Sequence, residues 1–159
     1  MIKVLFVCWG NICRSPMAEY IFKDMVSKAG MDEQFIIDSA AVSTEELGNP
    51  VYSPARALLG TKGIDCKGHH ARQVRKADYD AFDYIIGMEN THLRIMRDRF
   101  FGGDPVGKLH LMMDYSSRPG SQVADPWYTG DFERTYEDLV DGLNGLLKQC
   151  IMKDNGYGY

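Results

Sequence analysis

The sequence predicts a single α/β domain, an open three-layer sheet of four parallel strands flanked by helices. Short apolar runs rich in β-formers alternate with amphipathic stretches at helical spacing. The first run, Val4-Leu5-Phe6-Val7, is continuous rather than alternating, the pattern of a strand covered on both faces. At 159 residues, with 45% hydrophobic and 25% charged residues, the chain has the size and core of one ordinary domain. Strands alternating with helices imply right-handed crossovers and a flavodoxin- or Rossmann-like sheet, which binds ligands beyond the carboxyl ends of its strands.

The elements follow in order. Residues 3–7 read as a buried strand. Pro16 suits a first helical turn and Ser15 a position at its start. Ala18, Ile21, Phe22, Met25, Val26 and Ala29 then recur at helical spacing, with Gly30 as the stop. Phe35 to Ser39 reads as the second strand. Short helices are expected near Pro54 to Thr61 and over Ala77 to Ala81, and Gly63 to Gly68 reads as loop or irregular strand. Tyr84 to Met88 is the third strand, Thr91 to Phe100 a helix closed by Gly102-Gly103, and Lys108 to Met112 the fourth strand. A polar loop, Ser116 to Ala124, leads to Asp125-Pro126-Trp127-Tyr128 and a last helix over Phe132 to Met152. That helix has Phe132, Tyr136, Leu139, Val140, Leu143, Leu146 and Leu147 on one broad face. Residues 1–152 are thus one domain, with a flexible tail expected over 153–159.

Composition narrows the function. The net charge, 18 − 22 = −4, argues against nucleic acid or an anionic membrane as main partner. No apolar run reaches membrane-spanning length and no signal-peptide pattern opens the chain. The cysteines at 8, 13, 66 and 150 form no zinc or Cys-x-x-Cys pattern, so a reduced, cytoplasmic setting is expected.

The most informative stretch is Val7-Cys8-Trp9-Gly10-Asn11-Ile12-Cys13-Arg14-Ser15-Pro16, between a strand and a helix. Cys8 leaves the sheet at its ligand-binding edge, Gly10 permits a tight turn, and Asn11 tolerates a left-handed conformation. The helix start aims free N–H groups and a positive dipole end at the loop. Such a setting favours the thiolate of Cys8, and Ser15 can donate its hydroxyl to it. Arg14 offers a planar fork for two phosphate oxygens. The loop residues Trp9, Gly10, Asn11, Ile12, Cys13, Arg14 and Ser15 therefore read as a cup for a tetrahedral dianion, with Cys8 as nucleophile. A buried structural cysteine beside a surface arginine is the plainer alternative. Trp9, Trp127 and Tyr128 read as walls of an aromatic slit that admits a phenyl phosphate and excludes shorter phosphoserine. Asp125-Pro126 alone would read as a turn.

The Cys8 loop resembles the signature of the low-molecular-weight protein tyrosine phosphatases, and Asp125-Pro126-Trp127-Tyr128 resembles that family's general-acid loop. Ser39-Ala40-Ala41, Gly48-Asn49-Pro50, His69-His70-Ala71-Arg72-Gln73 and Phe82-Asp83-Tyr84-Ile85 match further segments in family order, to about residue 150. The resemblance implies hydrolysis of phosphotyrosine in a protein or peptide through a phosphocysteine, releasing phosphate. It assigns Cys8 as nucleophile, Arg14 as phosphate clamp and Asp125 as general acid, with no metal or cofactor. It further implies that Ser39 and His69 brace Asn11, and that Cys13 can form a disulfide with Cys8. Glu45 stands where some members place another aromatic wall, giving a more open or acidic rim. Glu89 stands where many have Asp, a carboxylate that can support Arg14. His70, His92 and His110 are expected to be structural.

Two related enzymes share this outline. Protein arginine phosphatases of the family resemble Cys-x-Gly-Asn-Thr-Cys-Arg-Ser, so Ile12 in place of Thr favours phosphotyrosine. Thioredoxin-coupled arsenate reductases need a later close pair of cysteines, and Cys66 and Cys150 are 84 positions apart (150 − 66). A non-catalytic phosphate-binding module should have lost a catalytic element, and none is missing.

Overall fold

The computed structural model describes residues 1–154. In chain order its elements are β1 (Ile2–Cys8), α1 (Arg14–Lys28), β2 (Phe35–Ala41), α2 (Ser53–Thr61), α3 (Asp78–Ala81), β3 (Tyr84–Gly87), α4 (Asn90–Ile95), β4 (Leu109–Leu111), α5 (Pro126–Thr129) and α6 (Phe132–Asp154). The four strands are all parallel, in the order β2-β1-β3-β4. The chain leaves β1 on one side for β2 and returns past it to β3. The strand order therefore switches direction between β1 and β3, where open α/β sheets form their ligand crevice.

Central β1 explains the continuous apolar run. Val4, Phe6 and Cys8 join the larger core, with Met17, Ile21 and Phe22 of α1, Leu59 of α2 and Leu139, Leu143 and Leu146 of α6. Leu5 and Val7 point to the other face, against Val74, Tyr79 and Met96. Both faces are covered, so no position on this strand has to be polar. Each large side chain buried in this way stabilises the fold by about 1.5–3 kcal/mol.

Several boundaries differ from the sequence expectation, each for a local reason. Ser15 stands at the start of α1 as expected, though not as its cap. The helix starts at Arg14, its preceding residue Cys13 makes no side-chain cap, and the Ser15 hydroxyl is directed to Cys8. Strand β2 continues through Ala40 and Ala41, which pair with Val7 and Cys8 although alanine is a weak strand former. The helix expected over Thr91 to Phe100 divides into α4 and a wider π-type segment, Met96–Phe101, closed by Gly102 at φ 68°. Strand β4 is only three residues long, because Met112–Tyr115 turns into a 3₁₀ helix that buries Met112 and Met113. At the other end, α6 runs through Lys153 and Asp154, two residues beyond the helix end expected at Met152. The rest of the expected tail, 155–159, lies outside the described residues.

Helix α6 approaches the 3₁₀ turn closely enough to need glycine. A Cβ on Gly145 would stand 1.8 Å from the carbonyl oxygen of Tyr115, and one on Gly142 would stand 3.0 Å from that of Met112. Backbone on both sides leaves no flexible group to yield. Gly145→Ala should therefore destabilise the fold by about 3 kcal/mol, although alanine favours an exposed helix by about 1 kcal/mol. A urea midpoint at or above that of the parent would contradict this packing.

Candidate active site

Cys8 is the last residue of β1, held in the ladder opposite Ala41, and its carbonyl accepts the Val42 N–H at 3.0 Å. The chain then turns through Asn11, whose φ is 61°. Among the described residues it is the one non-glycine in the left-handed region, a conformation asparagine tolerates better than most. Gly10 is not in that region. It is small for a different reason, since a Cβ there would meet the Glu46 Cγ at 3.3 Å.

The Asn11 side chain is buried and fully used. Its Nδ2 donates to Ser15 Oγ at 2.8 Å and to Ser39 Oγ at 2.9 Å, and its Oδ1 accepts the Arg72 N–H at 3.1 Å. The backbone is used as well: Asn11 N–H donates to Cys8 Sγ at 3.3 Å, and Asn11 O meets His69 Nε2 at 2.8 Å. These bonds orient two hydroxyls. Ser15 Oγ receives an amide hydrogen, which leaves its own hydrogen for Cys8 Sγ at 3.0 Å. Ser39 Oγ likewise receives from Asn11 and donates to Glu19 Oε1 at 2.6 Å.

Arg14 starts α1 and is nearly buried. Its Nη1 lies 2.7 Å from Glu89 Oε2 and 3.2 Å from the Val123 carbonyl, and its Nη2 lies 3.2 Å from Asp125 Oδ2. Asp125 also caps α5, its Oδ1 accepting the Trp127 N–H at 3.0 Å. The turn suggested by Asp-Pro and a carboxylate aimed into the site are thus one geometry. Its loop is tied down from two sides. Val123 N–H reaches Met88 O, while Ala124 bonds Asp138 and Thr135 of α6.

These residues surround a cavity of about 470 Å³. Cys8, Gly10, Ile12, Cys13 and Arg14 contribute to it, with Asp125, Trp127 and Tyr128 on another side. Asn11, Ser15, Ser39 and His69 do not line it; they lie behind the loop. Trp9 is half exposed and donates Nε1–H to Glu45 Oε2 at 2.9 Å, so the position expected to open the rim is a carboxylate braced by an indole. Trp127 packs against Tyr52, ring centroids 5.2 Å apart. Cys13 is buried beside Cys8, and burial, reinforced by Cys8, pushes its thiol up to about 12. Among the described residues no group of three or more His, Cys, Asp or Glu side chains is placed to hold a metal.

Residues 3–155 match the family described as low molecular weight phosphotyrosine protein phosphatase. The chain belongs to that family. It is thereby one of the cysteine-dependent protein tyrosine phosphatases, a phosphoric monoester hydrolase. The low molecular weight protein-tyrosine-phosphatase YfkJ of Bacillus subtilis is 40% identical over 148 residues, spanning 92% of this chain and 94% of its own. The crystal structure of YfkJ superposes with a TM-score of 0.90 at 38% identity, over 98% of this chain and 96% of its own. An arginine phosphatase of Drosophila also superposes, with a TM-score of 0.81 at 29% identity, over 92% of this chain and 96% of its own.

Sequence reasoning missed several residues of this candidate site. Glu19 is buried on α1, where it accepts from Ser39 and pairs with Lys23; the available signal was a charge among the apolar positions of a helix. Thr135 and Asp138 are polar residues at i, i+3 on the inward side of α6. Tyr52 gave no local signal. His92, expected to be structural, lines the cavity with its Nε2 3.8 Å from Glu89 Oε2. Its Nδ1 has no partner and is the one such buried side-chain polar atom among the described residues. His70 is exposed and His110 lies between Tyr84 and Tyr115, both away from Cys8.

Burial, helped by the nearby Arg14 charge, holds His92 neutral down to about pH 3, against 6.5 for an ordinary histidine. Below pH 6.5 the unfolded chain takes up a proton that the folded protein refuses. Stability should therefore fall as pH drops from about 6.5 towards 3. His92→Asn should flatten part of that slope in urea titrations between pH 7 and 4, leaving the share of His110, which burial also lowers. Parallel slopes for parent and variant would contradict the assignment.

Proposed function

We propose that the protein hydrolyses phosphotyrosine in proteins or peptides through a phosphocysteine intermediate. The observation that carries this is the convergence of Cys8, Arg14 and Asp125 on one cavity walled by Trp9, Trp127 and Tyr128. The sulfur of Cys8 attacks phosphorus as the bond to the phenolic oxygen breaks, and Asp125 delivers a proton to that oxygen. Water then attacks the phosphocysteine, losing a proton to Asp125, and the sulfur leaves with Ser15 Oγ at 3.0 Å to steady it. Arg14 and the N–H groups at the start of α1 hold the charge that spreads over the phosphoryl oxygens. Asn11, Ser39 and His69 act behind the loop by keeping it in shape.

Ile12 supports an aromatic leaving group, because it gives the cavity an apolar side chain near the loop. Phosphoarginine hydrolysis is the competing reading, and the carboxylates of the cavity would suit its guanidino group. Comparison of the two phosphopeptides decides between them: faster turnover of phosphoarginine would overturn phosphotyrosine. Arsenate reduction has less support, since Cys66 and Cys150 are buried away from the cavity. Cys13, buried in the same loop as Cys8, is the thiol that would resolve an oxidised Cys8. With peroxide as oxidant, the Cys8 sulfenic acid would lose water to the Cys13 thiol and form a disulfide. Four unpaired thiols fit a reducing compartment such as the cytoplasm.

Cys8→Ser should still bind inorganic phosphate but lose turnover; activity near the parent level would remove Cys8 as nucleophile. Asp125→Ala should lose about 10²–10⁴-fold in kcat with phosphotyrosine. Its loss with p-nitrophenyl phosphate, whose leaving group needs little protonation, should be much smaller. Equal losses on the two substrates would remove Asp125 as general acid.

A further inference from the structure

The cavity is electrically ill-matched to a dianion arriving alone. Its lining carries the carboxylates of Glu45, Glu46, Glu89 and Asp125 against a single cation, Arg14. That cation is buried at the loop and already faces Glu89 and Asp125. His92 adds no compensating charge, being held neutral. Among the described residues no lysine and no second arginine lines the cavity, and the chain as a whole carries −4. Loop N–H groups and Arg14 can hold a phosphoryl group once seated, but they act over short distances. Along the approach the carboxylates oppose it.

Two of those carboxylates do not serve Arg14. Glu45 is held upright by Trp9 Nε1–H, and Glu46 by Asn49 Nδ2–H at 2.6 Å, with its stem packed over Gly10. In each case the bond goes to Oε2, and Oε1 has no donor among the described residues. Glu46 also borders a second hollow of about 330 Å³, where Arg56 stands beside Ile12 and Tyr52, so the acidic edge ends at Glu46 and the rim beyond it carries one charge of each sign. Both glutamates are thus fixed and available where the peptide on either side of a bound phosphotyrosine has to pass.

We propose that Glu45 and Glu46 are specificity-determining residues, which select phosphotyrosines flanked by lysine or arginine. The substrate's own cations then supply the positive charge that the mouth lacks. This rests on the phosphotyrosine reading above and names its substrate class. Rim charges of this kind act mainly on association rate and its salt dependence, and an exposed pair contributes little in affinity. The selection is therefore a several-fold bias rather than an absolute filter.

The test measures kcat/KM for free phosphotyrosine and two phosphotyrosine peptides of equal length, one flanked by Lys and Arg, the other by Asp and Glu. Sodium chloride is varied up to about 0.5 M, where the screening length falls to about 4 Å. The basic peptide should be about five- to tenfold better at low salt and should lose that advantage as salt rises. The acidic peptide should instead improve with salt. The isosteric double variant Glu45→Gln, Glu46→Gln should bring the low-salt ratio close to one. Asp32→Asn with Glu33→Gln, the same change in charge at the opposite end of the sheet, should leave the ratio as it was. A ratio of one at low salt, or the same response to both double variants, overturns the proposal while hydrolysis of free phosphotyrosine keeps the activity intact. Failure to hydrolyse any of the three substrates overturns the phosphotyrosine reading and this proposal with it.

Discussion

The site depends on a single residue bent into the left-handed region. Asn11 at φ 61° directs its own N–H towards the sulfur of Cys8 while its carbonyl turns back to His69. Such a conformation is costly for a side-chain-bearing residue, and here bonds to Ser15, Ser39 and Arg72 hold it. Those partners come from α1, from β2 and from the segment before α3. The loop is consequently shaped by the tertiary fold and not by its local sequence alone. Glu19 extends the network by one step: it fixes Ser39, which in turn fixes the asparagine amide.

The legible parts of this molecule were those whose cause is local. A continuous apolar run at residues 4–7 has one simple explanation, burial on both faces, and β1 is central. The Cys8 loop was legible because strand, turn and helix signals are adjacent in the chain. The Ser15–Cys8 contact was legible with it, but the bond from Asn11 to Ser15 and the size of Gly10 were not, because they depend on what lies across the loop: Asn11 for the serine, Glu46 for the glycine. The same holds for His92. Its sequence neighbours say nothing about a wall shared with Arg14, which forms only when α4 packs beside the carboxyl end of β3. Helix detail was missed at the π-type segment after α4, where Met96 is buried, and at the end of α6, which runs two residues past Met152.

Arg14 illustrates how a buried cation is accommodated before any ligand arrives. A lone guanidinium with little exposure would be expensive, and removing one partner from such a pair leaves a charge uncompensated. Glu89 and Asp125 share that duty, assisted by the Val123 carbonyl. The two carboxylates are not equivalent. Asp125 is committed to a helix cap through its other oxygen, whereas Glu89 stands ahead of α4 without capping it. On the proposed function, a phosphoryl group entering the cup would meet an arginine already oriented, and its oxygens would compete with carboxylates rather than with bulk water.

The contact between Tyr52 and Trp127 has a mechanical consequence. Trp127 is joined to Asp125 by one 3.0 Å bond from its backbone N–H, while its ring leans on Tyr52 at 5.2 Å. Tyr52 in turn touches the ring of Phe132 at the start of α6, the helix that also holds the loop through Thr135 and Asp138. The aromatic wall and the carboxylate are therefore parts of one rigid bracket hung from α6. In the proposed mechanism a ring that seats against the wall is gauged against the same frame that sets the reach of Asp125, so fit to the leaving group and alignment of the proton donor would share one hinge point.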